Sequence, residues 1–147
     1  MNGSSEDKSQ VLLLGLLAFV QTAAAAPHQI SCPAEVAPSA IQLVTPGWTP
    51  HVKFPVPLRA AVASGGPPEQ EAKLVGETNW SRGTSEWSTT YTFGEIGFPD
   101  GKWIDCIYGR DAQFSLSKRL ADGVKECTIT VLKVNRGHQI NVKILCK

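Results

Sequence analysis

The sequence predicts a mainly β protein: a small antiparallel sheet folded on itself into a sandwich or partly open barrel, with at most one short helix and two disulfides as staples. Three observations carry this. Apolar residues alternate with polar ones through the C-terminal half, most clearly in Glu126–Val134 and His138–Cys146. Among 147 residues, 13 are glycine and 10 proline, which favours many turns and short elements. The 4 cysteines are an even number, and all follow a segment that reads as an export signal.

That segment is Val11–Val20, VLLLGLLAFV. A spanning helix needs ~20 apolar residues, and this run is far shorter. Gln21, Thr22 and the alanines Ala23–Ala26 follow it, as the cleavage zone of a secretory signal does. Cleavage after Ala25 meets the small-residue rule with Ala23. The leading region is unusual, with Glu6 and Asp7 set against Lys8. The competing reading is a buried helix or an uncleaved anchor, but four alanines followed by Pro27 continue a packed helix poorly. Gln29 and the distance from the apolar run exclude a lipid anchor on Cys32. The expectation is a signal peptide over 1–25 and a single β-rich domain over 26–147, periplasmic and soluble, with no membrane anchor after cleavage. Lys and Arg total 14 against 13 Asp and Glu, so no basic excess is available for a phosphate backbone, and nucleic acid is not an expected partner. With 42% hydrophobic and 18% charged residues, the chain is globular rather than disordered.

From Ala26 to Pro57 seven prolines exclude long helices and central strands. Ile41–Val44 reads as a short strand and Leu58–Ala63 as another. Ser64-Gly65-Gly66-Pro67-Pro68 is a loop, and Glu69–Leu74 fits a short helix opened by a proline. Gly76–Ser88 is polar, with Trp80 and Trp87 embedded in it. Thr89–Phe93 and Lys102–Tyr108 read as strands, and Phe114, Leu116 and Leu120 alternate with serines. Asn135-Arg136-Gly137 is a hairpin turn. If Asn135 and His138 close it, Cys127 faces Cys146, Ile129 faces Ile144 and Val131 faces Val142. A slip of one residue would turn one apolar set to water.

An exported chain uses four cysteines for two disulfides rather than for a metal, and no Cys-x-x-Cys or closely spaced histidine pair points to zinc. Three pairings of Cys32, Cys106, Cys127 and Cys146 are possible. Cys127–Cys146 would join opposed residues. Cys32–Cys146 with Cys106–Cys127 is favoured because each closes a larger loop.

Catalytic patterns are missing: no nucleophile elbow, P-loop, dinucleotide fingerprint or zinc-protease motif occurs. His28, His51 and His138 are scattered, and no cofactor is expected. Asp100 and Asp105 flank Trp103 and could serve wall hydrolysis, but Pro99-Asp100-Gly101 reads more simply as a turn whose aspartate bonds nearby backbone. Asn79-Trp80-Ser81 fits a glycosylation acceptor, relevant only in a eukaryotic secretory pathway. The expectation is no enzyme. Trp103 belongs to a strand, and Trp48 reads as a cap on one end of the core. Trp80 and Trp87, with Arg82 and Glu86, are the candidate protein-binding residues of an aromatic loop within 64–88. Such types anchor interfaces. The alternative is that both tryptophans cover the sheet.

Several stretches stand in a recognisable order. They are Cys32-Pro33, Pro46-Gly47-Trp48, Gly66-Pro67-Pro68-Glu69-Gln70 with Leu74-Val75, Trp103-Ile104-Asp105-Cys106-Ile107-Tyr108, Leu116–Leu120, Val124-Lys125-Glu126-Cys127-Thr128-Ile129, and a final apolar strand ending in Cys146. In these the chain resembles a family of small exported periplasmic proteins of Gram-negative bacteria, some encoded near type VI secretion genes. Where that family has Leu-Pro, this chain has Leu120-Ala121. The resemblance implies an immunity protein, a stoichiometric inhibitor that occludes the active site of a cell-wall-active, peptidoglycan-targeting toxin. The alternatives are an envelope structural or housekeeping protein, and an inhibitor of a host lysozyme-type enzyme.

Overall fold

The computed structural model describes residues 27–42, 44–94, 97–133 and 140–147. The expected leader, the Asn135-Arg136-Gly137 turn and His138 lie outside the described residues. Among the described residues nine strands follow in chain order: β1 (His28–Ile30), β2 (Glu35–Val36), β3 (Val56–Ser64), β4 (Glu77–Trp80), β5 (Glu86–Thr92), β6 (Trp103–Tyr108), β7 (Phe114–Arg119), β8 (Glu126–Lys133) and β9 (Ile140–Cys146). They form two antiparallel sheets, five strands in the order β1-β9-β8-β5-β4 and four in the order β2-β3-β6-β7. The described helical content is two single 3-10 turns, Pro38–Ala40 and Pro68–Gln70.

In the five-stranded sheet β8 and β9 pair in the register that the sequence predicts: Cys127 with Cys146, Ile129 with Ile144, Val131 with Val142. β5 adds Tyr91, Thr89 and Trp87 opposite Cys127, Ile129 and Val131, so alternation places these side chains on the same inward face. The other sheet contributes Leu58, Ala61, Ala63, Ile104, Cys106 and Tyr108 to the one core that both sheets share. Burying each large aliphatic side chain contributes about 1.5–3 kcal/mol. In β3 the register shifts between Leu58 and Ala60. Strict alternation would send Leu58 and Ala61 to opposite faces; the bulge at Arg59 lets both turn inward.

The N-terminal strands belong to different sheets: β1 pairs with β9 and β2 with β3, so residues 31–34 carry the chain across the sandwich. Three links hold this crossing. Cys32 is bonded to Cys106, the Tyr108 hydroxyl donates to the Pro33 carbonyl at 2.9 Å, and the Leu58 N–H donates to the Ala34 carbonyl at 2.9 Å. The second disulfide is Cys127–Cys146. The favoured pairing, Cys32–Cys146 with Cys106–Cys127, is therefore corrected. The chain-entropy gain separates the two pairings by only about 0.5 kcal/mol, too little to oppose a register that already sets Cys127 beside Cys146.

Three other expectations change. Ile41, Gln42 and Val44 belong to no strand. The helix expected over Glu69–Leu74 shrinks to the Pro68–Gln70 turn, because Glu71 takes a left-handed conformation (φ 50°) and Lys73 pairs with Ser64 as a bridge. Trp48 caps nothing: it closes a Thr45–Trp48 turn and is 78% exposed.

Candidate functional site

The polar segment around Trp80 and Trp87 is a hairpin rather than a loop. β4 pairs with β5 from Glu77 opposite Thr90 to Trp80 opposite Trp87. The Thr84 N–H donates to the Ser81 carbonyl at 3.3 Å, and Gly83 between them has φ +75°. A positive φ at the third residue is what a type II turn requires, and glycine adopts it without strain. The Thr84 hydroxyl donates to the Ser81 carbonyl and accepts from the Glu86 N–H, which fastens the tip.

This pairing sets the two indoles 5.3 Å apart at a tilt of 30°. Trp87 opposes Val131 and rests half-buried on the core. Trp80 stands on the edge strand and is 71% exposed. The same face therefore continues from core to surface in an aromatic corner. The Lys133 ammonium lies 5.6 Å from the Trp87 ring centre, within cation–π range. Arg82 is exposed at the hairpin tip. Glu86 opposes Leu132 and, as the neighbour of Trp87 in one strand, points from the other face of the sheet. Of the four residues proposed from the sequence, the structure joins Trp80 to Trp87, leaves Arg82 at the tip and turns Glu86 away. Sequence reasoning missed Lys133, although the sequence-derived β8–β9 register already placed it on the inward face.

A second concave place lies on the outer face of the four-stranded sheet. Asp105 alternates with Ile104 and Cys106 and so points away from the core, yet it is only 6% exposed. Its registered neighbours are Val62 on β3 and Ser117 on β7. The Ser64 hydroxyl donates to Asp105 Oδ2, whereas Oδ1 is buried with no hydrogen-bond partner among the described residues. Asp105 forms part of the lining of a cleft of about 230 Å³, with Pro68, Glu71, Lys73, Ile107, Ala112, Gln113, Phe114 and Ser115. Among the described residues Glu71 (φ 50°) and Ala112 (φ 53°) are the non-glycine positions with positive φ, and both line this cleft. Strain of this kind concentrates at functional sites.

Asp100, the other carboxylate weighed from the sequence, is exposed in the turn closed by the Gly101 N–H to the Phe98 carbonyl. Its side chain accepts from Gln70 Nε2 at 3.0 Å rather than from nearby backbone, and its carbonyl accepts from the Trp103 indole. Asp100 and Asp105 thus serve different surroundings. Among the described residues the shifted titrating groups are in the core: burial raises the pKa of Tyr108 and of Tyr91, with a backbone hydrogen bond at Ala63 opposing the effect on Tyr91. Among the described residues no group of three His, Cys, Asp or Glu could hold a metal ion, and no helix is long and apolar enough to cross a membrane.

One place is an exposed aromatic edge beside a cation, and the other is a cleft with a buried carboxylate on its lining. No curated protein and no solved structure matches the chain. The profile of the type VI secretion system Tli immunity proteins matches residues 53–147, which hold β3 to β9 and three of the four cysteines. More than half of the sequence lies within that match, and the chain belongs to the type VI secretion system Tli immunity protein family.

Proposed function

We propose that this immunity protein works in the periplasm as a non-enzymatic inhibitor that neutralises its toxin by occluding the active site, with the Trp80–Trp87 corner and Arg82 at the hairpin tip as contacts. The observation that carries the reading is Trp80: a large aromatic side chain, 71% exposed, tilted against a half-buried indole 5.3 Å away. Tryptophan and arginine dominate interface energetics, and a pre-positioned ring loses little conformational freedom on binding. Two disulfides suit an oxidising compartment outside the cytosol, in keeping with export. Glu86 enters as a contact only if the toxin also reaches the outer face of the hairpin. The toxin's target is proposed to be peptidoglycan.

The test uses the purified, oxidised protein and the toxin encoded beside its gene. Toxin activity is measured on peptidoglycan and, separately, on phospholipid vesicles, with increasing immunity protein. Stoichiometric inhibition supports occlusion; binding without inhibition overturns it. Activity on vesicles alone overturns the wall target and leaves the inhibitor reading intact. Unchanged affinity in a Trp80→Ala, Trp87→Ala double variant that remains folded overturns the proposed surface.

A further inference from the structure

We propose that the Asp105 cleft receives one cationic side chain, an arginine or lysine, from the protein that this chain binds. This inference rests on the reading that the chain binds a toxin, and it adds a contact on the other sheet from the tryptophans. The burial of Asp105, its unpartnered oxygen and the shape and chemistry of the cleft lead to it. Asp105 is more than nine-tenths buried, and among the described residues only one of its two oxygens has a partner, the Ser64 hydroxyl. A carboxylate accepts at both oxygens, so Oδ1 is an acceptor site already held in position. Among the described residues no ion pair reaches it.

The cleft is about 230 Å³, below the range of small-molecule pockets and suited to a single long side chain. Its walls match the parts of such a chain. Ile107 offers apolar surface to a methylene stem, while Glu71, Gln113 and Ser115 offer oxygen acceptors for the remaining N–H groups. Lys73 is the one basic residue on the lining, so the incoming cation meets two carboxylates against one ammonium. The left-handed conformations at Glu71 and Ala112 set the wall on opposite sides of the chain sequence, one after the Pro68–Gln70 turn and one in the β6–β7 connection.

The test measures binding of the neighbouring toxin to the full, oxidised protein by titration calorimetry, with thermal melting as the folding control. Asp105→Asn keeps the shape and removes the charge; an affinity loss of about a hundredfold is expected. Ser115→Arg keeps Asp105 but sets a cation at the cleft from within, at an exposed position, and should cost at least about tenfold. It carries the test if Asp105→Asn does not fold. A toxin Arg→Gln or Lys→Gln variant that loses the same affinity, and loses no more against Asp105→Asn, identifies the guest. Wild-type protein that binds no toxin overturns the immunity reading and this inference together. Wild-type binding with unchanged affinity in both variants, or no toxin cation coupled to Asp105, overturns the cleft alone.

Discussion

The outer face of the five-stranded sheet is a band of threonines, with the Thr90 and Thr128 hydroxyls 3.2 Å apart and Leu132 and Leu145 41% and 37% exposed nearby. The outer face of the four-stranded sheet instead carries Asp105 and Ile107 in a cleft walled by residues between Pro68 and Lys73. The inner faces are alike, each supplying aliphatic side chains and cystine sulfur to the common core. The disulfides differ as the outer faces do. Cys127–Cys146 joins neighbouring strands within one sheet, 19 residues apart, whereas Cys32–Cys106 ties the N-terminal crossing to the other sheet, 74 residues apart. The five-stranded sheet is held by its own ladder. The four-stranded sheet has a cleft on its surface because the β3–β4 connection, through Pro68, Glu71 and Lys73, and the β6–β7 connection, through Ala112 and Gln113, line its outer face.

The largest test of this contrast removes each disulfide by a double Cys→Ala change. Loss of Cys32–Cys106 should cost about 4.5 kcal/mol and loss of Cys127–Cys146 about 3 kcal/mol in the chain-entropy view, measured by urea unfolding. Equal losses would mean that the crossing is held as well by its hydrogen bonds as by the bond to Cys106. Next, Trp87→Ala should destabilise by about 2–3 kcal/mol, since Trp87 rests on the core, and Trp80→Ala by less than about 1 kcal/mol. The two should nonetheless cost toxin affinity comparably, and an affinity loss confined to Trp87 would place the contact away from the edge strand. Gly76→Ala sharpens the junction where the chain enters β4. The new methyl would lie 2.6 Å from Thr89 Cγ2 and 2.8 Å from the Thr90 carbonyl oxygen, so about 1–3 kcal/mol should be lost in thermal unfolding.

The smallest effect concerns pH. Tyr108 has its pKa raised by burial above the usual 10.0. Its neutral form is favoured by the fold, so its contribution is complete below pH 10 and is lost as pH rises through the folded value, once the unfolded chain ionises first. Tyr108→Phe removes the hydrogen bond to Pro33 and should cost about 1 kcal/mol at neutral pH. The gap between wild type and variant should narrow in unfolding measured above pH 10. A constant gap would mean that Tyr108 does not titrate with unfolding.

The β8–β9 pairing was readable because both strands alternate strictly and a strong turn signal separates them. The Trp80–Trp87 pairing is not legible in the sequence, although Gly83 stands between the two tryptophans. Its turn, Ser81-Arg82-Gly83-Thr84, lacks the Asn-Gly or Asp-Gly signal, and the flanking residues are too polar to show a period. β3 hid its register because the bulge at Arg59 breaks the alternation that sequence reading relies on. The cysteine pairing is not legible from loop entropy, which scarcely separates the alternatives, whereas the β8–β9 register sets Cys127 beside Cys146. Alternation within Trp103–Tyr108 sets Asp105 on the face opposite Ile104 and Cys106. Its cleft is lined in part by Pro68, Glu71 and Lys73, which are remote in sequence and could not be positioned by local pattern.

The cystines also bear on how the molecule matures. They join the first cysteine to the second and the third to the fourth, in the order in which a chain threaded N-terminus first would emerge from a translocation pore. An oxidant that links each newly arrived thiol to the one still waiting would produce the native bonds directly, without a shuffling enzyme. In a chain exported in that order, such wiring would leave no mispaired bond to be undone.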